Sequence, residues 1–318
     1  MGVTGVNQAL ERVARGRGGQ EWNRNVVSGR IMTGSLGYYI RIEGSGPPVL
    51  LLHGFTGSHQ SWDAVASDLS ASYTVVRPDL PGHAASVVGK DQPWSMDTVV
   101  FSLFRLMREL GFPTFSCVGY SMGGRVALSM AAKAPARLDC LVVESGSPGL
   151  QDESLRALRM KEDNALADRM ESIGLLSFVD EWGRKPLFAT QERLSESIKE
   201  HQRNIRLSHL VTGLSASLRH MGTGVQPPVW DHLAQMSVPA LLITGRSDVK
   251  FVDIARKMEG LMPNAVHREV EDAGHAVHLE QPSVYNQLLL SFLEQHAKRL
   301  PLSYNWTRGL LFANDEEQ

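Results

Sequence analysis

One serine of the chain lies in a pattern that suits a nucleophile or a base. The segment Gly119-Tyr120-Ser121-Met122-Gly123 follows a short, apolar, β-prone run and precedes a stretch of helix formers. This setting predicts a tight strand–turn–helix connection that lifts Ser121 out of the backbone with strained φ and ψ angles. Glycines should be required on both sides because a Cβ at either position would clash across the turn. The N-terminus of the following helix would favour negative charge at the same point.

The serine needs two partners, a histidine that accepts its proton and a carboxylate that orients this histidine. The chain offers both in the order serine, acid, histidine. Asp248 follows an apolar run that reads as a buried strand, and His275 follows the last predicted strand, directly after Gly274. Loops at the carboxyl ends of parallel strands gather at one edge of a sheet, so we expect these side chains to meet. Asp248 is also a suitable helix N-cap residue.

Two other residues compete for these roles, Glu144 as the acid and His278 as the histidine. No spacing typical of metal ligands links the other histidines considered, and the chain is expected to use neither a metal nor a cofactor. These histidines are His53, His83, His201, His209, His220, His232, His267 and His296.

Backbone N–H groups of Phe55 and Met122 are the predicted oxyanion donors. Met122 follows the serine at the start of the helix. Phe55 lies in a turn after the apolar run 49–52, where Gly54 and Gly57 permit a tight bend. The turn 79–83 closes the next strand, and we expect it to shape the floor of the site.

Apolar runs alternate with helical patterns along most of the chain, which predicts an α/β protein with a mainly parallel, doubly wound sheet. The stretch 151–228 has helical spacing and no convincing strand, so it reads as a helical lid inserted after the strand near residues 138–143. The predicted organisation is a loose N-terminal extension at 1–25, a core at 26–150 and 229–298, the lid at 151–228 and a partly apolar C-terminal tail at 299–318. The predicted strands lie at 36–42, 48–52, 73–77, 115–118, 138–143, 238–244 and 265–270, and the predicted helices outside the lid at 95–110, after Ser121, 253–261 and 282–297.

The composition excludes several function classes. The net charge of −2 over 318 residues gives no global field that would recruit nucleic acid or an anionic membrane. No apolar stretch is long enough for a membrane span, and the two cysteines read as buried, reduced thiols. We expect a cytoplasmic protein. Five arginines within residues 10–30 leave organelle targeting open as an alternative, and the tail leaves a homo-oligomer open.

Several motifs together resemble the 2-succinyl-6-hydroxy-2,4-cyclohexadiene-1-carboxylate synthases, a family with the α/β-hydrolase fold. The likeness covers roughly residues 35–295, and one departure is Ala84, where the fold usually has a glycine. The resemblance implies a cofactor-free lyase that eliminates pyruvate from an enolpyruvyl-bearing cyclohexene polycarboxylate, a small molecule. The matching stretches are 52–58, 119–125, 144–150, 217–224, 248–251 and 274–280.

The same resemblance supplies a set of candidate substrate-binding residues. Arg125 lies one helical turn beyond Ser121 on the same face, and Lys250 lies two residues beyond the predicted acid. With two arginines of the lid they could clamp several carboxylates, for which the guanidinium fork is well suited. The full set is Arg125, Arg159, Arg206, Lys250, Tyr120 and Trp182.

Alternatives to the lyase remain open, because a serine, histidine and aspartate triad serves hydrolases and lyases alike. A hydrolase acting on an ester or a carbon–carbon bond would explain the triad but not the lid cations. A related enzyme of a secondary-metabolite pathway would act on another polyanionic substrate. A binding protein without catalytic activity is the third alternative, and the complete set of three polar residues speaks against it.

Overall fold

A nine-stranded sheet forms the centre of the computed structural model, which describes residues 26–88 and 94–298. The strand order is β1-β2-β4-β3-β6-β7-β8-β9, and β5 pairs with β2. Pairing is antiparallel between β1 and β2, β2 and β4, and β2 and β5, and it is parallel from β4 through β9. The predicted α/β class with a mainly parallel sheet is therefore confirmed. The strands are β1 Val26–Thr33, β2 Leu36–Glu43, β3 Pro48–Leu52, β4 Thr74–Pro78, β5 Val87–Val88, β6 Phe115–Tyr120, β7 Leu138–Glu144, β8 Ala240–Gly245 and β9 Ala265–Val270.

Helices cover both faces of this sheet and form a separate layer above its carboxyl edge. Short 3₁₀ segments lie at His59–Trp62, Pro135–Arg137, Pro186–Arg193 and Trp230–Gln235. The α-helices are α1 Asp63–Leu69, α2 Met96–Glu109, α3 Met122–Lys133, α4 Glu153–Gly183, α5 Glu196–Leu207, α6 Val211–Met221, α7 Val249–Leu261, α8 Val277–Glu280 and α9 Pro282–His296.

The buried apolar residues form one cluster on each face of the sheet and a third, smaller one within the lid. Strands β3 and β7 are buried along their whole length, as expected for parallel strands covered on both faces. Met170 and Leu214 pack together in the third cluster, so part of the apolar pattern in the lid serves its own core. The sheet thus forms a rigid base on which the loops of its carboxyl edge are placed.

The sequence reading missed some elements. It gave no strand for β1, whose pattern is interrupted by Gly29 and whose side chains are mostly half-exposed, and it did not anticipate the two-residue β5. Helix α7 begins at Val249, four residues before the predicted start. The predicted extension at 1–25 and tail at 299–318 lie outside the described residues.

The stretch 151–228 contains helices and no strand, and its longest helix is broken. Gly174 has φ +78° and ψ 168°, values outside the helical region, so α4 consists of two straight parts that meet there. A Cβ built on Gly174 would touch nothing within 4 Å. The positive φ, and not a lack of space, is therefore what favours glycine at this position.

We expect the glycine after Met122 to tolerate no side chain. A Cβ on Gly123 would overlap with the carbonyl oxygen of Leu52 in the neighbouring strand, whereas one on Gly260 in α7 would meet nothing within 4 Å. Gly123→Ala should therefore lower the free energy of unfolding by about 3 kcal/mol or prevent folding. Gly260→Ala should raise it by up to about 1 kcal/mol, since alanine favours the helix. Urea denaturation of both variants measures the difference, and a Gly123→Ala protein as stable as the wild type would contradict the tight turn.

Candidate active site

Ser121 lies at the sharp turn between β6 and α3. Its backbone has φ +51° and ψ −107°, a conformation that is strained for any residue with a side chain. Its N–H group donates a hydrogen bond to the carbonyl oxygen of Glu144 at 2.8 Å, which fixes the turn against the neighbouring strand. A Cβ on Gly119 would overlap with the Gly123 carbonyl group. The predicted strain and the need for both glycines are confirmed.

The structure brings together the three residues of the predicted catalytic triad, Ser121, His275 and Asp248, which together form the proton relay. Asp248 follows the end of β8, and its Oδ2 lies 2.6 Å from Nδ1 of His275. Nε2 of the same imidazole lies 3.0 Å from Oγ of Ser121. His275 is only 2% exposed, and the Asp248 side chain makes no capping bond to α7. This arrangement can move a proton from the serine hydroxyl to the imidazole and stabilise the resulting positive charge.

The two competing residues pair with each other instead. Nδ1 of His278 lies 2.9 Å from both carboxylate oxygens of Glu144, and the His278 N–H group donates to the same carboxylate at 3.0 Å. Both residues are buried behind Tyr120. The pair therefore belongs to the packing beneath the serine, and it leaves the Asp248 and His275 pair to face the hydroxyl.

The predicted oxyanion donors lie beside the serine. Phe55 and Met122 line the same cavity as Ser121 and His275. The Phe55 loop is closed by a hydrogen bond from the Gly57 N–H group to the Gly54 carbonyl oxygen at 3.0 Å. Backbone N–H groups at these two positions, next to a nucleophile, would stabilise an oxyanion.

A cavity of about 230 Å³ opens above the serine hydroxyl, between the sheet edge and the lid. Loops of the core supply Ser121, His275 and Phe55, while helices α4 and α6 form the opposite wall of the cavity. Its lining residues include four of the six predicted substrate-binding residues, namely Arg125, Arg159, Trp182 and Lys250.

Arg125 is a partly buried cation that lines this cavity. One guanidinium nitrogen donates hydrogen bonds to the Met221 carbonyl oxygen at 2.7 Å and to Oε1 of Gln226 at 3.1 Å. No carboxylate lies within 4 Å of it among the described residues. Burial, and then the neighbouring Arg159, lower the pKa of Arg125 to about 10, so the group stays protonated at neutral pH. A partly buried guanidinium that hydrogen-bonds only neutral oxygens can bind an anion through its remaining N–H groups.

Arg159 is already paired. Its Nε donates to Oδ1 of Asp163 one helical turn on, at 2.8 Å, and the other oxygen of this buried carboxylate accepts the Gly224 N–H at 3.3 Å. Asp163 lines the cavity too, so it removes part of the positive charge there. Sequence reasoning missed Asp163 and Gln226. The spacing of Arg159 and Asp163 by four residues on a helix is the signal that could have found the first.

Tyr120 and Arg206 lie elsewhere. They line a smaller chamber of about 30 Å³ beside the main cavity, together with Phe188 and His278. The Arg206 guanidinium carbon lies 5.1 Å from the centre of the Phe188 ring, a cation–π contact, and burial lowers the pKa of Arg206. Burial, and then Glu144, raise the pKa of the Tyr120 hydroxyl, which therefore stays protonated. The structure thus does not place all the predicted cations around the serine.

Phe55 and Trp182 form the partition between the two spaces. Phe55 lines both, and its ring packs edge-on against Trp182 with centroids 5.3 Å apart. The indole Nε1 of Trp182 is buried and has no hydrogen-bond partner in the described protein. Ser145, whose Oγ is likewise buried without a partner, also lines the main cavity, and the sequence gave no sign of it. Such groups are available to a bound polar ligand.

Comparison with known proteins identifies the family. Residues 47–282 match the family described as alpha/beta hydrolase fold. A Bacillus subtilis (strain 168) protein named for 2-succinyl-6-hydroxy-2,4-cyclohexadiene-1-carboxylate synthase is 39% identical over 248 residues, which cover 77% of this chain and 89% of the relative. The chain belongs to this synthase family.

Further relatives agree with the assignment to the synthase family. The 2-succinyl-6-hydroxy-2,4-cyclohexadiene-1-carboxylate synthase of Serratia proteamaculans (strain 568) is 30% identical over 252 residues, covering 79% of this chain and 94% of the relative. The structure of MenH from S. aureus superposes with a TM-score of 0.79 at 31% identity, and it covers 81% of this chain and 99% of that one. The resemblance inferred from the motifs is therefore confirmed.

Within 26–88 and 94–298, no helix is long and apolar enough to cross a membrane. The same residues contain no cluster of three or more histidine, cysteine, aspartate or glutamate side chains that could hold a metal ion.

The two imidazole–carboxylate pairs should respond differently to removal of their charge. Asp248→Asn should lower turnover about 10⁴-fold with little loss of stability, because the asparagine amide fits the site but favours the wrong tautomer of His275. Glu144→Gln should mainly lower the free energy of unfolding, by about 3 kcal/mol, because it breaks a buried pair with His278. Rate measurements and urea denaturation of both variants check this. The reverse pattern would assign the orienting role to Glu144.

Proposed function

We propose that this chain is a lyase that eliminates pyruvate from 2-succinyl-5-enolpyruvyl-6-hydroxy-3-cyclohexene-1-carboxylate and releases 2-succinyl-6-hydroxy-2,4-cyclohexadiene-1-carboxylate. Its membership in the synthase family supports the proposal. The observation that carries it is the position of Arg125, a partly buried guanidinium with no carboxylate within 4 Å of it among the described residues, in the same cavity as Ser121 and His275. A neutral ester offers no charge for this guanidinium to bind.

The first step is removal of a proton by the relay. His275 takes the proton of the Ser121 hydroxyl, and the serine oxygen takes the proton at ring carbon 2, next to the succinyl ketone. Asp248 stabilises the imidazolium that results. The electron pair of the broken C–H bond moves to the ketone oxygen and forms an enolate. No covalent bond between the serine and the substrate is required.

The second step expels the leaving group. The Phe55 and Met122 N–H groups hold the enolate oxygen, a contribution typically worth about 3 kcal/mol for each donor. The electron pair returns through the ring double bond between carbons 3 and 4, forms the 2,3 and 4,5 double bonds and breaks the bond from carbon 5 to oxygen. The enolate of pyruvate leaves and takes up the proton that the relay had removed. Every atom and electron comes from the one substrate, so the reaction calls for no cofactor.

The cations hold the three carboxylates of this substrate. Arg125 binds one of them directly, since it lines the cavity and is partly shielded from solvent. Lys250 and the Arg159–Asp163 pair offer weaker positive potential at the rim. Arg206 and Tyr120 serve a carboxylate that reaches the smaller chamber past Phe55. The proposed roles of these residues follow from this placement.

Loss of the serine hydroxyl should abolish the reaction. Ser121→Ala should lower kcat for pyruvate release by roughly 10³-fold or more, because the residues of a relay act as one unit. Coupling to lactate dehydrogenase measures the pyruvate, and Ser237→Ala, at an exposed position, is the matched control. A loss smaller than about tenfold would remove Ser121 from the role of base.

A hydrolase and the proposed lyase differ in the substrate that each converts faster. The wild-type protein should release pyruvate from the enolpyruvyl carboxylate much faster than it cleaves p-nitrophenyl acetate at the same concentration. Brisk ester cleavage without pyruvate release would overturn the lyase and leave the relay in place.

Removal of the Arg125 guanidinium should weaken substrate binding. Arg125→Met should raise KM for the enolpyruvyl substrate by roughly ten- to hundredfold, since a hydrogen bond to a charged group contributes about 1.5–3 kcal/mol. The matched control is Arg105→Met on α2, where the arginine is half-exposed and paired with Glu109. Steady-state kinetics measure both variants. An unchanged KM for Arg125→Met would show that this guanidinium does not contact a substrate carboxylate.

A further inference from the structure

His209 joins the lid to two loops of the core. It lies between α5 and α6 and is 4% exposed. The Ala84 N–H group donates to its Nδ1 at 2.8 Å, and its Nε2 lies 2.9 Å from the carbonyl oxygen of Thr56. These are the hydrogen bonds found between the lid stretch 151–228 and the loops 53–57 and 79–86 in the described protein.

The two bonds define the chemical state of this imidazole. Since Nδ1 accepts a hydrogen bond, the proton of the neutral ring is on Nε2, which then donates to Thr56. Burial lowers the pKa of His209, in agreement with a neutral ring. A doubly protonated ring would set one N–H group against another at Ala84. His209 therefore works as one donor and one acceptor held at a fixed separation.

Both residues that His209 binds have strained backbones. Thr56 has φ +63° and Ala84 has φ +42°, although neither is a glycine. A β-branched residue such as threonine is rarely found in this region and persists there only when its surroundings hold it. The N–H group of Thr56 donates to Nε2 of His83 at 3.3 Å. Two imidazoles thus hold the two peptide groups of Thr56.

Thr56 directly follows Phe55, whose N–H group is the proposed oxyanion donor. The orientation of that N–H group depends on the backbone of the loop, which the strained Thr56 would otherwise be free to relax. The lid is also seated closely at this point, because a Cβ on Gly82 would overlap with the carbonyl group of Gly213 in α6. The lid therefore contacts both loops at this end of the site, the loop 53–57 through His209 and the loop 79–86 through His209 and Gly213.

We propose that His209 is a positioning residue: through its bond to the Thr56 carbonyl oxygen, it keeps the Phe55 N–H group directed at the developing oxyanion. The lid consequently completes the oxyanion site as well as covering it. This inference rests on the proposed lyase function for its kinetic readout, and it also has a structural readout that does not depend on the reaction.

Two amide substitutions separate the two bonds of the imidazole. In His209→Asn the side-chain oxygen can replace Nδ1 and keep the bond from Ala84, but the donor to Thr56 is lost. In His209→Gln the side-chain nitrogen can replace Nε2 and keep the bond to Thr56, while the acceptor for Ala84 is lost. His201→Asn, at an exposed position of α5, is the control for changing a lid histidine.

We expect kcat for pyruvate release to fall at least about tenfold in His209→Asn with KM changed less than about threefold, because a small misplacement of a donor acts on the transition state. His209→Gln should recover most of this loss, and His201→Asn should match the wild type. Hydrogen exchange of the amides of residues 55–57 should accelerate at least tenfold in His209→Asn, while that of the β3 amides stays unchanged.

The outcomes are distinct. Equal kcat in the Asn variant and the wild type, or equal loss in the Asn and Gln variants, would overturn the positioning role. The same holds if exchange accelerates equally in 55–57 and in β3, since this would indicate a general loss of stability. If the wild type releases no pyruvate, the proposed function fails, and the exchange measurement alone then decides whether His209 holds the loop.

Discussion

The strained backbone of Ser121 is the constraint on which the site depends. Its left-handed conformation is held because Gly119 and Gly123 allow β6, β3 and α3 to approach more closely than any side chain would permit. The hydrogen bond from its N–H group to Glu144 ties the turn to β7. The hydroxyl therefore stands clear of the backbone, within reach of His275, and the sheet and not the loop determines its position.

Two kinds of basic side chain surround Ser121, neutral imidazoles and charged guanidinium groups. The imidazoles near the oxyanion loop are buried and kept neutral, and burial lowers the pKa of His53 to about 4. Arg125 stays charged at neutral pH, and no carboxylate lies within 4 Å of it among the described residues. Neutral rings can hold loops by directional hydrogen bonds, whereas a cation such as Arg125 attracts an anion. The site thus separates the groups that shape it from the groups that bind.

The relay could be predicted because strand ends are visible in a sequence. Ser121 and Asp248 each follow an apolar run, His275 follows the last predicted strand, and parallel strands place their carboxyl ends at one edge whatever the details of packing. No comparable rule predicts how the helices of the lid pack on the core. Whether Arg206 faces the serine depends on how α5 packs on Phe188. The role of Gln226 depends on its contact with Arg125, which lies 101 residues away in the chain, and helical periodicity does not encode such a contact. The motifs suggested one set of cations around the serine, but Phe55 and Trp182 separate the main cavity from the smaller chamber that Arg206 lines.

The break at Gly174 separates helix α4 into two parts that contribute different residues to the cavity. The part before it carries Arg159 and Asp163, and the part after it carries Trp182. Because the two parts are joined by one residue of unusual backbone geometry, a change in their crossing angle shifts the charged wall relative to the aromatic wall without disturbing the sheet. Separate parts of one helix therefore determine the shape of the cavity and its electrostatic potential, while the catalytic edge of the sheet keeps its own packing.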